Sequence, residues 1–301
     1  MTVVSKGRPG VAGNQAPSVA MRGVKGLVLT ICCAVVIIPF VGVISTSLAT
    51  QQQVTDAGGF VIIPDHVTIA AYRAIFAGGV VTRAIGVSVF ITVVGTALSL
   101  TCTAMLAYAL SRPRSFAHKQ LLMVVLFALL FTPGIIPSYL VVKDFGLLNS
   151  YWSLIVPTAV NAFNVIVLRA FFMNLPQALI DSARIDGASE ATILRKVVLP
   201  LSKAAMAVVG LFYAVGYWNA FFNALLYIND TSKWPLQLVL QTYVVNNAEI
   251  GTGQLTPGEV LPPQQSLQMA ILVVSIVPIL LVYPFLQRHF AKGVLTGAVK
   301  G

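Results

Sequence analysis

The chain has 301 residues, of which 57% are hydrophobic and only 9% are charged, and its mean hydropathy is +0.87. A soluble domain of this length cannot bury so much apolar surface, so the composition indicates a membrane protein. The formal net charge of +10 would suit a nucleic-acid-binding protein, but that class needs basic residues clustered on one folded face. Here they lie between apolar runs, so we expect a lipid bilayer and no nucleic acid around the chain.

Six segments are long and apolar enough to cross about 30 Å of hydrocarbon as helices of roughly 20 residues each. They predict an all-α membrane protein whose transmembrane domain spans residues 26–290. Residues 1–25 are predicted to be a disordered tail, because the opening residues lack apolar periodicity, and residues 291–301 form a second tail. The six predicted spans are residues 26–48, 85–110, 121–142, 152–172, 204–227 and 267–287.

The placement of lysine and arginine predicts the orientation of these spans. Of the 19 basic residues, only Arg73, Arg83, Lys143 and Lys233 fall in the segments on one side of the membrane. Basic residues are concentrated on the cytoplasmic side of membrane proteins. Both termini and the loop between spans four and five are therefore predicted to be cytoplasmic. The long segment 228–266 is predicted to be external, and its stretch PLQLVLQTYVV could lie flat at the interface, touch a partner or form a packed loop.

The spans lack the groups that other classes of membrane protein require. None of the nine acidic residues falls within a predicted span, whereas proton-coupled carriers usually carry ionisable residues at membrane depth. The three histidines lie far apart in predicted loops, which does not suit a catalytic or metal site. No G-x-x-x-x-G-K-[ST] loop for binding phosphate occurs. We therefore expect a non-catalytic chain without metal or cofactor, and any transport must draw energy from another subunit.

The densest charge in the chain lies in IDSARIDGASEATILRKVVLP, residues 180–200, between spans four and five. The sequence predicts a short helix over 177–185 that ends at Asp186-Gly187, because glycine adopts a left-handed helix end without a side-chain clash. A second helix is predicted over 189–198, and it ends at Leu199-Pro200, where the proline can begin the next span. The predicted structure is a pair of cytoplasmic helices joined by a glycine elbow.

This segment resembles the EAA loop of ABC importer permeases, whose pattern is roughly E-A-A, three residues, G, and nine to eleven residues to L-P. Aspartate replaces the leading glutamate here, and serine replaces the first alanine. In that family the two short helices dock into a cleft on a separate ATPase subunit. The resemblance therefore implies that residues 173–203 are a coupling loop. The coupling residues that it implies are Asp181, Ala183, Asp186, Gly187, Leu199 and Pro200.

The resemblance covers nearly all of the chain from about residue 26. The stretches AYALSRPRSFAHK, GIIPSYLVVKDFGLLNSYW, YAVGYWNAFFNALLYIND and KGVLTGAVKG are similar to carbohydrate permeases of the maltose-transport type, in particular a branch associated with oligosaccharide uptake. This implies a multi-pass protein of the bacterial plasma (inner) membrane. Its implied partners are a second permease subunit, two ATPase subunits that bind ATP and Mg, and an extracytoplasmic solute-binding protein.

Polar and aromatic residues in spans four and five predict a path for a sugar. Gly216, Asn219 and Asn223 would share one face of a continuous helix. Amides exchange hydrogen bonds with hydroxyls, and aromatic rings offer an apolar face to the C–H side of a sugar. The same asparagines could instead bond a neighbouring helix. The predicted path residues are Asn161, Asn164, Tyr217, Trp218, Asn219 and Asn223.

Two alternative functions remain open at this point. An ABC permease for phosphate, a polyamine or an amino acid would call for complementary charge along its path, and the predicted spans show none. A self-sufficient channel, secondary carrier or membrane enzyme is disfavoured by the missing intramembrane acids and by the coupling loop. The sequence favours a sugar permease.

Overall fold

The structure is a computed structural model that describes residues 19–113, 115–246 and 262–298. Over these ranges the chain is helical, and the one β-type contact is an isolated bridge between Ala49 and Val67. The all-α prediction is therefore confirmed for the described residues. Residues 1–18 of the predicted tail, 247–261 of the predicted external segment and 299–301 at the other end lie outside them.

The α-helices are separated by short turns, and several are only one or two turns long. In chain order they are α1 (Val19–Ser47), α2 (Gln51–Asp56), α3 (Ala70–Ala77), α4 (Val80–Ser111), α5 (His118–Leu130), α6 (Ile135–Asp144), α7 (Trp152–Ile155), α8 (Ala162–Met173), α9 (Gln177–Ile185), α10 (Glu190–Ile193), α11 (Leu199–Leu201), α12 (Lys203–Trp218), α13 (Phe221–Tyr227), α14 (Leu236–Leu240) and α15 (Gln264–Ala298).

Among the described residues, three helices are long and apolar enough to cross a bilayer unaided: α1, α4 and the part of α15 up to Pro284. Two bent pairs raise the number to five if each is counted as one span. The first joins Trp152–Thr158 to α8 at 50°, and the second joins Glu190–Leu201 to α12 at 87°. The helical, apolar architecture is that of a membrane protein, and the arrangement of six spans stays a prediction.

Besides the bent fourth span, two more of the predicted continuous spans are broken. Span 121–142 consists of α5 and α6, and the residues between them include Pro133, which lacks the amide donor that a helix needs. Span 204–227 is interrupted after α12, where the Phe221 amide donates to the Asn219 carbonyl at 2.8 Å. Ala220, at φ −75° and ψ 67°, forms the centre of this inverse γ-turn. The prediction of one unbroken fifth helix was therefore wrong. No proline or glycine occupies this turn, so the sequence carried no signal for it.

The helix ends also differ from the predicted boundaries. α1 begins at Val19, so residues 19–25 are helical although they were predicted to belong to a disordered tail. α15 continues to Ala298, so most of the predicted second tail extends the last span. Basic residues interrupt the apolar run in both places, Arg22 and Lys25 near the start and Lys292 near the end, and lysine and arginine are good helix formers. Apolar length predicts the part of a helix that lies in lipid, and not the whole helix.

The main core lies where α4, α8 and α12 pack together. A second cluster joins α3, the start of α4, α14 and α15. Three side chains of α14 are at most 2% exposed and belong to these clusters: Leu236, Leu238 and Val239. The stretch PLQLVLQTYVV therefore forms a packed segment, which is one of the three alternatives predicted for it. By contrast, α1 contacts mainly α15, and only 6% of its apolar window is buried within the chain.

Candidate functional site

A cavity of about 430 Å³ lies between the bent fourth span and the broken fifth span. Its polar lining consists of amides and hydroxyls, and no charged residue lines it. Phenyl and phenol rings supply most of the remaining surface. The lining residues are Leu154, Thr158, Asn161, Phe163, Asn164, Phe212, Tyr213, Gly216, Tyr217, Ala220 and Asn223.

Tyr217 forms one wall of this cavity and ties α12 to its neighbours. Its hydroxyl donates to the Ile155 carbonyl at 3.2 Å, lies 2.7 Å from the Ser99 hydroxyl and accepts from Thr158 at 3.3 Å. Its ring lies so close to α4 that a Cβ added at Gly95 would come within 2.8 Å of it. Glycine at that position therefore allows the ring to pack against the backbone of α4.

Tyr213 lies one turn earlier on α12, and its ring stacks with that of Tyr217 at 6.5 Å between centroids. Its hydroxyl lies 2.6 Å from the Thr103 hydroxyl and accepts a hydrogen bond from the backbone amide of Asn161 at 2.9 Å. The Asn161 side chain caps α8 by accepting from the Asn164 amide at 3.1 Å. The non-helical backbone between α7 and α8 is thus hydrogen-bonded within the protein, as irregular backbone at membrane depth must be.

Four of the six predicted path residues line this cavity: Asn161, Asn164, Tyr217 and Asn223. Trp218 does not, because its ring is buried in the second cluster and its indole N–H donates to the Ser275 carbonyl at 3.1 Å. Asn219 is exposed at the γ-turn, and that turn changes the direction of the chain before Asn223. The helical face predicted for Gly216, Asn219 and Asn223 therefore does not exist, although Gly216 and Asn223 both line the cavity.

Sequence reasoning missed the hydroxyls that support the cavity. Ser99 and Thr103 are fully buried on α4, four residues apart, and they face Tyr217 and Tyr213, which are also four residues apart. Residues spaced by four share one face of a helix. Two matching pairs of hydroxyl residues in different spans are the signal that could have revealed these contacts.

The predicted coupling loop forms two helical segments separated by a turn. α9 occupies the predicted range, and Gly187 follows with φ +78°, the left-handed conformation that glycine favours. The second segment begins at the Ser189 cap and continues through α10, a π-helical turn and α11 to Leu201. The predicted stop at Leu199-Pro200 was therefore wrong by about two residues. Proline at the first turn of α11 needs no amide bond there, so the helix continues past it.

The inner face of this loop is anchored on the core. Ile180, Ile193 and Val198 are at most 1% exposed, and Ala183 and Leu199 pack against the same cluster. The outer face is open: Ile185 is 86% exposed, and nothing lies within 4 Å of a Cβ built at Gly187. Of the remaining predicted coupling residues, Asp181, Asp186 and Pro200 are exposed.

Glu190 links the two helical segments to α4. Its carboxylate accepts a hydrogen bond from the hydroxyl of Tyr108, near the end of α4, and a second from Arg184 of α9 at 2.7 Å. Arg184 also lies 3.7 Å from Asp181, and Arg112 lies over the Tyr108 ring at 4.8 Å. The hydrogen bond from Tyr108 and those from Arg184 lower the pKa of the Glu190 carboxyl. Glu190 is therefore ionised at neutral pH.

The described residues contain no group of three or more His, Cys, Asp or Glu side chains that could hold a metal ion. The structure thus offers two sites with different chemistry. One is a neutral cavity of amides, hydroxyls and rings, and the other is a charged loop with an exposed tip.

The chain matches the family model described as "Binding-protein-dependent transport system inner membrane component" over residues 99–296. It is 47% identical, over 88% of this chain and 93% of the relative, to the polygalacturonan/rhamnogalacturonan transport system permease protein YtcP of Bacillus subtilis (strain 168). It is also 47% identical to protein LplC of the same organism, over 89% of this chain and 90% of the relative.

A solved structure supports the same fold. It is the crystal structure of a bacterial ABC transporter involved in the import of the acidic polysaccharide alginate, and one of its chains is 29% identical to this one. The match covers 91% of this chain and 99% of that chain, with a TM-score of 0.82.

Proposed function

Since this chain belongs to the family of binding-protein-dependent transport system inner membrane components, we propose that its cargo is an oligosaccharide, in particular one that carries carboxylates. The chain is the permease subunit of an ABC importer. The observation that carries the proposal is the cavity between the fourth and fifth spans, whose amides, hydroxyls and rings suit a sugar. The polygalacturonan/rhamnogalacturonan and alginate cargoes named for two similar proteins support an acidic sugar.

The acidic cargo departs from the expectation, drawn from the sequence, that a charged solute calls for complementary charge along its path. The side-chain amides of Asn161, Asn164 and Asn223 can donate hydrogen bonds to a carboxylate as well as to a hydroxyl. A path without fixed cations also avoids holding an anion too tightly to release it. We therefore place a sugar, charged or neutral, in the cavity and assign its orientation to these donors.

The proposed topology has six spans, with both termini in the cytoplasm of a bacterial cell and the chain in its plasma (inner) membrane. The fourth span is α7 with α8, and the fifth is α12 with α13. Residues 173–203 form the cytoplasmic coupling loop, and residues 228–266 face outward within the domain 26–290. The 87° bend between Glu190–Leu201 and α12 supports this assignment, because a helix perpendicular to a span suits the membrane surface.

The proposed energy source is a pair of ATPase subunits that bind ATP and Mg, since this chain carries no phosphate-binding loop. Their contact would be the exposed tip at Ile185, Asp186 and Gly187. Glu190 would then pass the movement of the loop to α4 through Tyr108, because that hydrogen bond joins the two elements directly. A second permease subunit and an extracytoplasmic solute-binding protein complete the proposed assembly.

The test is ATP-dependent uptake of labelled oligogalacturonides into proteoliposomes that contain the complete importer. We compare Asn223→Ala, which removes an amide from the cavity, with Asn219→Ala, a matched change outside it. Loss of one hydrogen bond predicts a KM that is about two- to tenfold higher for Asn223→Ala, and an unchanged KM for Asn219→Ala. Equal effects of the two changes on KM would show that the sugar does not pass through the cavity. Failure of the wild-type importer to take up any oligosaccharide would reject the proposed cargo.

A further inference from the structure

A separate cavity of about 180 Å³ lies at the start of α4, on the side that the proposed topology places outside the cell. The first turn of α4 forms one wall. The 3₁₀ turn Thr231–Lys233 and the π-helical turn Gln241–Val245 contribute the others. The lining residues are Val80, Arg83, Ala84, Thr231, Ser232, Trp234 and Tyr243.

Two polar side chains around this cavity, Arg83 and Trp234, are hydrogen-bond donors only. The indole N–H of Trp234 is buried and has no hydrogen-bond partner in the described part of the chain. Such a group is costly to bury without an acceptor. Arg83 brings a guanidinium to the same cavity and forms no salt bridge with any described residue. The cavity therefore combines an unpaired N–H donor with a cation, and both favour an anionic acceptor.

Asp230 is close enough to Arg83 for their charges to interact, but it does not satisfy the Trp234 N–H. Asp230 does not line the cavity, and its carboxylate accepts from the Ser232 amide at 2.9 Å and from the Ser232 hydroxyl at 2.7 Å. Lys233 lies 3.8 Å from the same carboxylate and donates to the Asn149 carbonyl at 2.9 Å. These contacts fix the turn that forms the wall of the cavity. They engage the Asp230 carboxylate within the turn and leave the Trp234 N–H without an acceptor among the described residues.

We propose that this cavity binds a carboxylate of the transported sugar, as a uronate subsite at the external entrance of the importer. The inference rests on the proposed acidic oligosaccharide cargo. The Arg83 fork can hold a carboxylate through two parallel hydrogen bonds, and the Trp234 N–H supplies a third donor. The positive end of the α4 dipole reinforces the preference for an anion, since no side chain caps that end.

The experiment measures equilibrium binding of trigalacturonate to the complete permease and ATPase complex in lipid nanodiscs, without the binding protein. The comparison ligand is its methyl ester, which has the same rings without the charges. Arg83→Gln should weaken binding of the acid by about tenfold or more, and Trp234→Phe by about two- to tenfold. Arg83→Gln should weaken binding of the ester much less, because an ester carbonyl still accepts hydrogen bonds but carries no charge. The matched control is Arg73→Gln, which changes another exposed arginine outside the cavity and should leave both affinities unchanged.

The possible results separate this subsite from the proposed function. If the wild-type complex does not bind trigalacturonate, or if Arg83→Gln weakens the acid and the ester equally, the subsite is wrong. If Arg83→Gln binds trigalacturonate normally but loses affinity for the binding protein, the cavity holds a carboxylate of that protein, and the uronate assignment is wrong. If Arg83→Gln loses much more affinity for the acid than for the ester, and the importer moves no oligosaccharide, the subsite is supported and the proposed cargo is wrong.

Discussion

The cavity between the fourth and fifth spans and the loop of residues 173–203 are both held by tyrosine hydroxyls on long helices, but in opposite electrostatic surroundings. In the cavity, Tyr213 and Tyr217 bond hydroxyl, amide and carbonyl groups, all of them neutral. At the loop, Tyr108 bonds the carboxylate of Glu190, which is paired with Arg184. Charge is expensive where lipid is the solvent and cheap where water reaches it.

The difference predicts how each junction responds to change. The network around the cavity contains no charged side chain, so its stability depends on shape and on complete hydrogen bonding. The loop junction depends on an ionised carboxylate and on a glycine that takes a left-handed conformation. We therefore expect backbone and charge changes to act at the loop, and packing changes to act at the cavity.

The largest expected effect comes from Gly187→Ile in the loop. A β-branched residue at φ +78° is strained, and its side chain would also occupy the outer face proposed to meet the ATPase. We expect ATP-driven uptake to fall to near background while the chain remains in the membrane. Uptake in proteoliposomes and the amount of chain in isolated membranes are the two measurements.

The matched control for this change is Gly187→Asn. Asparagine tolerates the left-handed conformation better than a branched residue does, and a Cβ at this position meets nothing within 4 Å in the chain. Substantial uptake is therefore expected from Gly187→Asn. If Gly187→Ile transports as well as the wild type, the left-handed glycine is not required for coupling, and nothing distinguishes this loop from an ordinary connection between two spans.

The cavity should respond most strongly to Gly95→Ala. The added Cβ would come within 2.8 Å of the Tyr217 ring, so the ring or α4 must move. We expect a loss of about 1–3 kcal/mol of stability, which is typical of overpacking, seen as a lower Tm of the purified complex. Gly86→Ala, on the same helix with nothing within 4 Å, is the control and should not lower the Tm. An equal decrease for both changes would mean that the helix, and not the ring contact, is sensitive.

A comparable effect is expected for Tyr217→Phe, which keeps the ring and removes the hydroxyl. Ser99, which is fully buried, would lose its partner, and an unsatisfied buried polar group costs about 1–3 kcal/mol. Thermal unfolding of Tyr217→Phe should show the same difference from the wild type at every pH from 5 to 8, because the network is neutral. Tyr283→Phe, at a ring that is 61% exposed, is the control. A strong pH dependence of the difference would contradict a neutral junction.

Much of this architecture could be predicted from local sequence signals. The bounds of α9 and the left-handed Gly187 follow from residue types whose conformational preferences are strong. The long apolar helices α1, α4 and α15 follow from length and hydropathy alone. These features depend on neighbours in sequence or on the bilayer, and both are readable without tertiary structure.

The features that sequence reasoning missed depend on contacts between distant residues. The γ-turn at Ala220 has no proline or glycine to announce it, so Asn219 and Asn223 were placed on one helical face. Trp218 was assigned to the path because an aromatic residue near asparagines suits a sugar, yet it donates to Ser275 across 57 positions of sequence. In an apolar span every face is apolar, so hydropathy does not show which face meets lipid, protein or cavity.

The smallest effect, and the sharpest test of the comparison, is that of Glu190→Gln. Hydrogen bonds from Tyr108 and Arg184 lower the pKa of Glu190 in the folded chain, so its contribution to stability is present above the unfolded pKa of about 4.5 and is lost as pH falls through the lowered value. Because Glu190 is 54% exposed, that contribution should be only about 0–1 kcal/mol at neutral pH. The difference in Tm between wild type and Glu190→Gln should therefore stay constant from pH 8 to pH 6 and vanish in strong acid. A Tm difference that instead grows toward low pH would mean that Tyr108 bonds a neutral carboxyl. The hydrogen bonds at the cavity and at the loop would then both join neutral groups.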